Sequence, residues 1–234
     1  MGANSSLADE FLCTLQTLPE RAKVFNPWVD AEPSCEEDAD APKTRSSNLA
    51  RYLRERIGTA RVALVAEAPS YRGAKFSGIA MTSERIALGR GRGVLKQFHL
   101  AEFCRTSDRD RWPLGLAEQT ATLVWSRLIE LGYPPTEFVL WNAYPCHPHD
   151  DGNRFSNRKP TRGELLSAAH VLQHFLSLFA GAQVVAVGKV AQDALREMKV
   201  DLPYVRHPAN GGAAEFQCAL HQRVASRDPS RPAT

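Results

Sequence analysis

The sequence predicts an α/β protein, a three-layer α/β/α sandwich around a four-stranded parallel sheet. Three observations carry that expectation. Four short apolar runs, at 62–66, 138–142, 182–188 and 202–206, read as strands, the first with the continuous hydrophobicity of a strand covered on both faces. They alternate with stretches whose apolar residues fall at helical spacing, the pattern of parallel pairing. No segment repeats, and 43% hydrophobic content over 234 residues suffices for one sizeable core.

In order along the chain, residues 5–18 form an amphipathic helix, with Leu7, Phe11, Leu15 and Leu18 on one face and Ser5 or Ser6 as cap. Residues 25–44 carry Pro27, Pro33, Pro42 and the acidic run Glu36-Glu-Asp-Ala-Asp40. They read as a surface loop, flexible over 32–42 and turned away from any polyanion. A second helix spans 46–57, capped by Ser46 or Ser47 and closed by Gly58. These two helices form an N-terminal extension, 1–58, packed on a main domain, 59–226; a flexible tail covers 227–234.

In the main domain, the strand 62–66 runs into Glu67 and the turn Ala68-Pro69-Ser70, where proline cannot continue a ladder. Thr82-Ser-Glu-Arg85 opens a helix. Gly89-Arg-Gly-Arg-Gly93 places Arg90 and Arg92 on a backbone able to approach a phosphate, or to form a solvated turn. A helix spans 116–131 and another 161–179, the latter opened by Thr161 with Glu164 three residues on, a capping box. Gly188 lets the helix 189–198 start close to its strand, and a last helix runs from about 213 to 225.

Composition excludes several classes. The net charge is +3, too small by itself to imply nucleic acid, although 22 Arg against 7 Lys favours the side chain that forks phosphate. Five widely spaced cysteines without Cys-x-x-Cys argue against a disulfide framework and for a reducing cytoplasm. No apolar run approaches the ~20 residues of a membrane span. Cys146, His147 and His149 have the composition of a metal cluster, but the spacing is too tight for three ligands on one tetrahedral ion, so no metal is expected.

Three predicted strands end in polar groups: Glu67, Asn142 and His207. Parallel topology brings those ends to one edge, where α/β sheets bind ligands. An acid, an amide and an imidazole converging there make a candidate site. Each alone also reads blandly, as a solvated acid, a turn cap and a loop histidine. Phe76, in the loop after Glu67, is placed to stack on a planar ligand or to fill the core.

Here the residues carry a resemblance. Ala66-Glu-Ala-Pro-Ser70 followed by Phe76-Ser-Gly78 resembles the first motif of the uracil-DNA glycosylase superfamily, in its Gly-Glu-Ala-Pro-Gly form. Leu140-Trp-Asn-Ala-Tyr-Pro-Cys-His-Pro148, Val184-Val-Ala-Val-Gly-Lys-Val-Ala191 and His207-Pro-Ala-Asn210 resemble three later segments, in the right order. The resemblance implies an enzyme of base-excision repair that flips a base out of DNA and cleaves its N-glycosidic bond. It implies that Asn142 reads the base edge, Phe76 stacks on it, His207 stabilises charge on its carbonyl, and Glu67 handles water or the cationic sugar. Ala68, Ser70 and Tyr71 would line the base pocket. Arg206, Asn210 and Gly211 would contact DNA, with Arg90 and Arg92 beside them. The partner implied is DNA carrying uracil or another deaminated base, bound by a monomer.

The chain departs from the pattern at points that bear on chemistry. Ala68 stands where the best-known branch has Asp, leaving water to Glu67. Ser70 stands where that branch has the Tyr that screens out thymine, and Tyr71 is next door. Ala209 replaces the usual Ser. Cys146 matches one iron–sulfur ligand position, but the N-terminal Cys-x-x-Cys is missing, so no cluster and no other cofactor is expected. A non-catalytic member that binds nucleic acid or nucleotide is the alternative.

Overall fold

The computed structural model describes residues 3–36, 38–96, 98–200, 202, 204–209 and 211–225. Its elements run in chain order α1 (Ala3–Gln16), β1 (Val24–Phe25), α2 (Ala41–Arg54), β2 (Val62–Ala66), α3 (Ala74–Ser77), α4 (Glu84–Ala87), α5 (Gln119–Glu130), β3 (Phe138–Asn142), β4 (His147–Pro148), α6 (Arg162–Ser167), α7 (Ala169–Leu178), β5 (Gln183–Val187), α8 (Lys189–Glu197), β6 (Tyr204–Val205) and α9 (Ala213–Ala225). Four strands form a parallel sheet in the order β3-β2-β5-β6. All five residues of β2 and of β3 are buried, which is why their sequences are apolar without alternation.

Phe138 and Trp141 project to opposite faces of β3, and each finds its own layer. Phe138 meets Trp125 of α5 with ring centroids 4.8 Å apart. Trp141 meets Phe11 of α1 at 5.0 Å and stacks on Phe175 of α7 at 5.4 Å. The two layers and the sheet between them are the expected sandwich. α2 closes the free edge of β3: the Leu140 N–H donates to the Tyr52 hydroxyl at 2.9 Å, and Arg56, fully buried, donates to the Phe138 carbonyl at 3.1 Å. An edge strand thus keeps its ladder groups satisfied without another strand.

Three expectations are corrected. α2 begins at Ala41, five residues before the expected Ser46, because Pro42 sits in the first turn, where its missing N–H costs nothing. In the acidic segment, Glu36 is not part of a solvated surface. Glu36 is buried in an ion pair with Arg45 (side chains 1% and 0% exposed), and Arg45 also donates to the carbonyls of Pro27 and Asp30. The helix expected over 161–179 is two helices meeting at Ala168; its Thr161–Glu164 capping box is present. The short antiparallel pair β1–β4 was not foreseen. The expected tail, 227–234, lies outside the described residues.

Candidate functional site at the carboxyl ends of the strands

The three polar residues do come to one edge. Ala66 pairs with Asn142 at the ends of β2 and β3. Past that pair the chains stay tied, with the Ala143 N–H donating to the Ala66 carbonyl at 2.8 Å and the Tyr144 N–H to the Glu67 carbonyl at 3.0 Å. On the other side, the Gly188 N–H donates to the Val205 carbonyl at 2.8 Å. Gly188 has φ +85°, and a Cβ there would lie 3.3 Å from that of His207, so the glycine is what lets the imidazole pack against the end of β5. Across the edge the order is Asn142, Glu67, Gly188, His207. Glu67 and His207 are two strand spacings apart, about 10 Å at the backbone.

Each group is poised. Asn142 is 3% exposed, and its side-chain oxygen is buried with no partner among the described residues. A buried acceptor left unpaired by protein, water or ligand costs about 1–3 kcal/mol. The Glu67 carboxylate, partly buried, has no hydrogen-bond partner among the described residues. Burial raises its pKa above the usual carboxylate value, against a smaller opposing pull from Lys159. The Ala209 N–H donates to His207 Nδ1 at 3.2 Å, so the neutral ring carries its proton on Nε2. Burial lowers the His207 pKa, which favours that neutral donor.

The loop after Glu67 is held from several sides that sequence reasoning missed. His147 is fully buried, with Nδ1 2.8 Å from the Pro69 carbonyl and Nε2 3.3 Å from that of Arg154. Burial pushes its pKa down to about 4, so it is neutral and donates to Pro69, the shorter contact. The Tyr71 N–H donates to Asn157 at 3.0 Å. Lys75 is fully buried: it pairs with Glu32 at 3.4 Å, donates to the Arg154 carbonyl at 3.0 Å, and lies 4.9, 5.6 and 4.6 Å from the rings of Phe25, Phe76 and Phe155. Glu118, at the start of α5, presses on Gly73: a Cβ at Gly73 would sit 2.2 Å from its Oε2. Burial pushes the Glu118 pKa up to about 7. None of these signals was periodic or motif-like, and only the glycine hinted at a close approach.

The other expected site residues are placed as follows. Ser70 Oγ accepts from the Arg72 N–H at 3.2 Å, and the Tyr71 ring meets Phe155 edge-on at 6.2 Å. Ala68 packs near Tyr144 and Cys146. Phe76 is fully buried in a cluster with Cys35 and Leu116, its ring 6.0 Å from Trp112, so it has no open face in this conformation. A ligand can stack on it only after one of these neighbours moves. Arg206 is paired with Glu215 at 3.0 Å, and Gly211 has φ +79°. Asn210 lies outside the described residues. Arg90 is exposed and donates to the Pro113 carbonyl at 2.7 Å; Arg92 is exposed. Among the described residues, no cluster of His, Cys, Asp or Glu is placed to hold a metal, and no helix is long and apolar enough to cross a membrane. A cavity of about 600 Å³, lined by Arg61, Tyr133 and Gln183 among others, opens at the amino ends of β2 and β5, away from these groups.

The arrangement defines an α/β protein with polar side chains gathered at the carboxyl ends of a parallel sheet. A family model described as the uracil DNA glycosylase superfamily matches residues 54–231, and the chain belongs to that superfamily. Among solved structures it is similar to one titled the crystal structure of wild-type SMUG2 from Pedobacter heparinus, with a TM-score of 0.61 and 10% identity, covering 94% of this chain and 97% of that one. At that identity the likeness is one of fold. No curated protein matches.

Proposed function

We propose that this protein is a DNA glycosylase that flips uracil or another deaminated base out of DNA and hydrolyses its N-glycosidic bond. The observation that carries the reading is the buried side-chain oxygen of Asn142, unpartnered among the described residues, at the carboxyl ends of the strands. It fits a ligand N–H, and the same amide's NH₂ fits a neighbouring carbonyl, the edge shared by uracil, hypoxanthine and xanthine. As the glycosidic bond breaks, its electron pair goes to the base. His207 Nε2–H is the neutral donor suited to the charge that grows on the base carbonyl, a role often contributing ~3–4 kcal/mol. Glu67 takes a proton from the water that adds to the sugar carbon, or stabilises the cationic sugar before water arrives. Ser70, Tyr71 and Ala68 line the base pocket. Phe76 stacks on the base once the Trp112 segment moves. Arg206, Asn210, Gly211, Arg90 and Arg92 serve DNA contact.

The test is incubation with uracil-, hypoxanthine- and xanthine-containing oligonucleotides, single-stranded and duplex, followed by alkaline cleavage of abasic sites. Strand scission with at least one substrate is expected, and none with any at stoichiometric enzyme would refute the reading. Ser70 and Ala209, which depart from the family pattern, favour one alternative, a member that binds a base or nucleotide without cleaving it. Tight, salt-dependent DNA binding without base release would select that alternative.

A further inference from the structure

A second feature lies on the outer side of the segment that covers Phe76. A cavity of about 330 Å³ is lined by Arg90, Arg105 and Arg109, with Leu88, Phe103 and Pro113 among its walls. Arg105 is pinned there through neutral acceptors: the carbonyls of Ser107 (3.1 Å), Asp108 (3.1 Å) and Trp112 (2.7 Å), and the Ser107 hydroxyl (2.7 Å). Its remaining nitrogen reaches the Pro113 carbonyl at 3.4 Å, the oxygen to which Arg90 donates at 2.7 Å. Two guanidinium groups thus converge on one carbonyl. Among the described residues, neither pairs with a carboxylate, unlike Arg45 with Glu36, Arg158 with Glu164 or Arg206 with Glu215.

Carbonyl dipoles hold these cations directly, and the Glu84 carboxylate is linked to Arg105 through the Ser107 hydroxyl rather than in an ion pair. Like charges a few ångströms apart repel by about 1 kcal/mol even at the dielectric constant of water. An anion in the cavity reverses the sign of that interaction, and planar guanidinium groups suit phosphate oxygens. The cavity is also well placed. Trp112, whose carbonyl anchors Arg105, turns its ring to Phe76, and Pro113 forms the cavity wall.

We propose that Arg90, Arg105 and Arg109 form a pocket for a backbone phosphodiester of the bound nucleic-acid strand, next to the flipped nucleotide. The inference rests on the glycosylase reading and adds to it a preorganised phosphate subsite built around Arg105. Occupancy of the pocket also couples DNA binding to the segment that closes Phe76.

The test is the salt dependence of binding to an undamaged duplex and to a single strand. Arg90→Gln is the informative variant, because Arg90 is exposed and makes one carbonyl bond, and its unfolding midpoint verifies the fold. Loss of one phosphate contact lowers the slope of log K against log salt by about 0.9 on duplex or 0.7 on single strand. Arg90→Lys keeps the charge and should restore the slope, a rescue that a merely structural role would not show. Lys43→Gln, at an exposed position on α2, serves as control. An unchanged slope in Arg90→Gln, with wild-type protein still excising bases, overturns the pocket alone. Wild-type protein that neither excises nor binds DNA overturns the glycosylase reading and the pocket together. Inorganic phosphate that competes with DNA for wild type and not for Arg90→Gln supports the pocket; equal competition for both counts against it.

Discussion

Replacing Asn142 with leucine separates a functional amide from a structural one. Leucine has nearly the shape of asparagine and no polar atoms. Asn142 is 3% exposed with its oxygen unpaired, so the folded protein carries the desolvation of an acceptor without the bond that would offset it, about 1–3 kcal/mol. Asn142→Leu removes that cost and creates little cavity. The variant should therefore be more stable by about 1 kcal/mol, a rise in midpoint of ~2–4 °C for a chain of this size. Base release should fall at least ~10²-fold, because the base edge has lost its partner. Urea unfolding and single-turnover excision, run on one preparation, give both numbers. Destabilisation by more than 1 kcal/mol with unchanged excision would refute the reasoning, since it would show that the amide is paired inside the fold and idle in the reaction.

Further outcomes follow from the same geometry. His207→Ala should lower single-turnover excision at least ~10²-fold, and an unchanged rate removes His207 from the site. In the proposed reaction Glu67 works as a carboxylate, and burial raises its pKa above the ordinary value, so excision should rise with pH through that raised pKa and then level. Glu67→Gln should lose this acid limb; a pH profile identical to wild type refutes the assignment. Gly188→Ala puts a side chain at φ +85° and 3.3 Å from His207. It should cost about 1–3 kcal/mol of stability and slow excision, both read from the assays above. Glu118 has a folded pKa of about 7 against 4.5 unfolded, so its contribution to stability is present below pH 4.5 and lost as pH rises through 7. Glu118→Gln should match wild type in urea at pH 4.5 and exceed it at pH 8. The shift sets an upper limit of about 3 kcal/mol, and solvent reaching this partly buried residue lowers it. Equal stability at both pH values would refute the assignment.

β2 and β3 were legible because they are buried on both faces and must therefore read as unbroken apolar runs. Glu67, Asn142 and His207 were legible as polar residues that interrupt those runs at their ends. The capping box was a local signal, and it held. What failed to show in the sequence was charge buried by long-range pairing. Glu36, at the start of the acidic run, looks solvated because nothing local announces Arg45 beneath it. Lys75 looks like a loop cation until β1, Glu32 and Phe155 close around it. Pro42 looked like a loop residue although it opens α2, since proline suits both a turn and a first helical turn. Glu118 was invisible because its meaning comes from contact with Gly73 across 45 residues of chain.

In the proposed reaction the polar residues at the strand ends take a base by its polar edge. A crystal of the protein soaked with free uracil or hypoxanthine tests it most directly. The expected result is a ring whose N–H and C=O lie within hydrogen-bond distance of the Asn142 amide, with a carbonyl oxygen facing His207 Nε2 and the Trp112 segment displaced from Phe76. A base bound elsewhere, or an Asn142 oxygen already paired inside the protein, would contradict it.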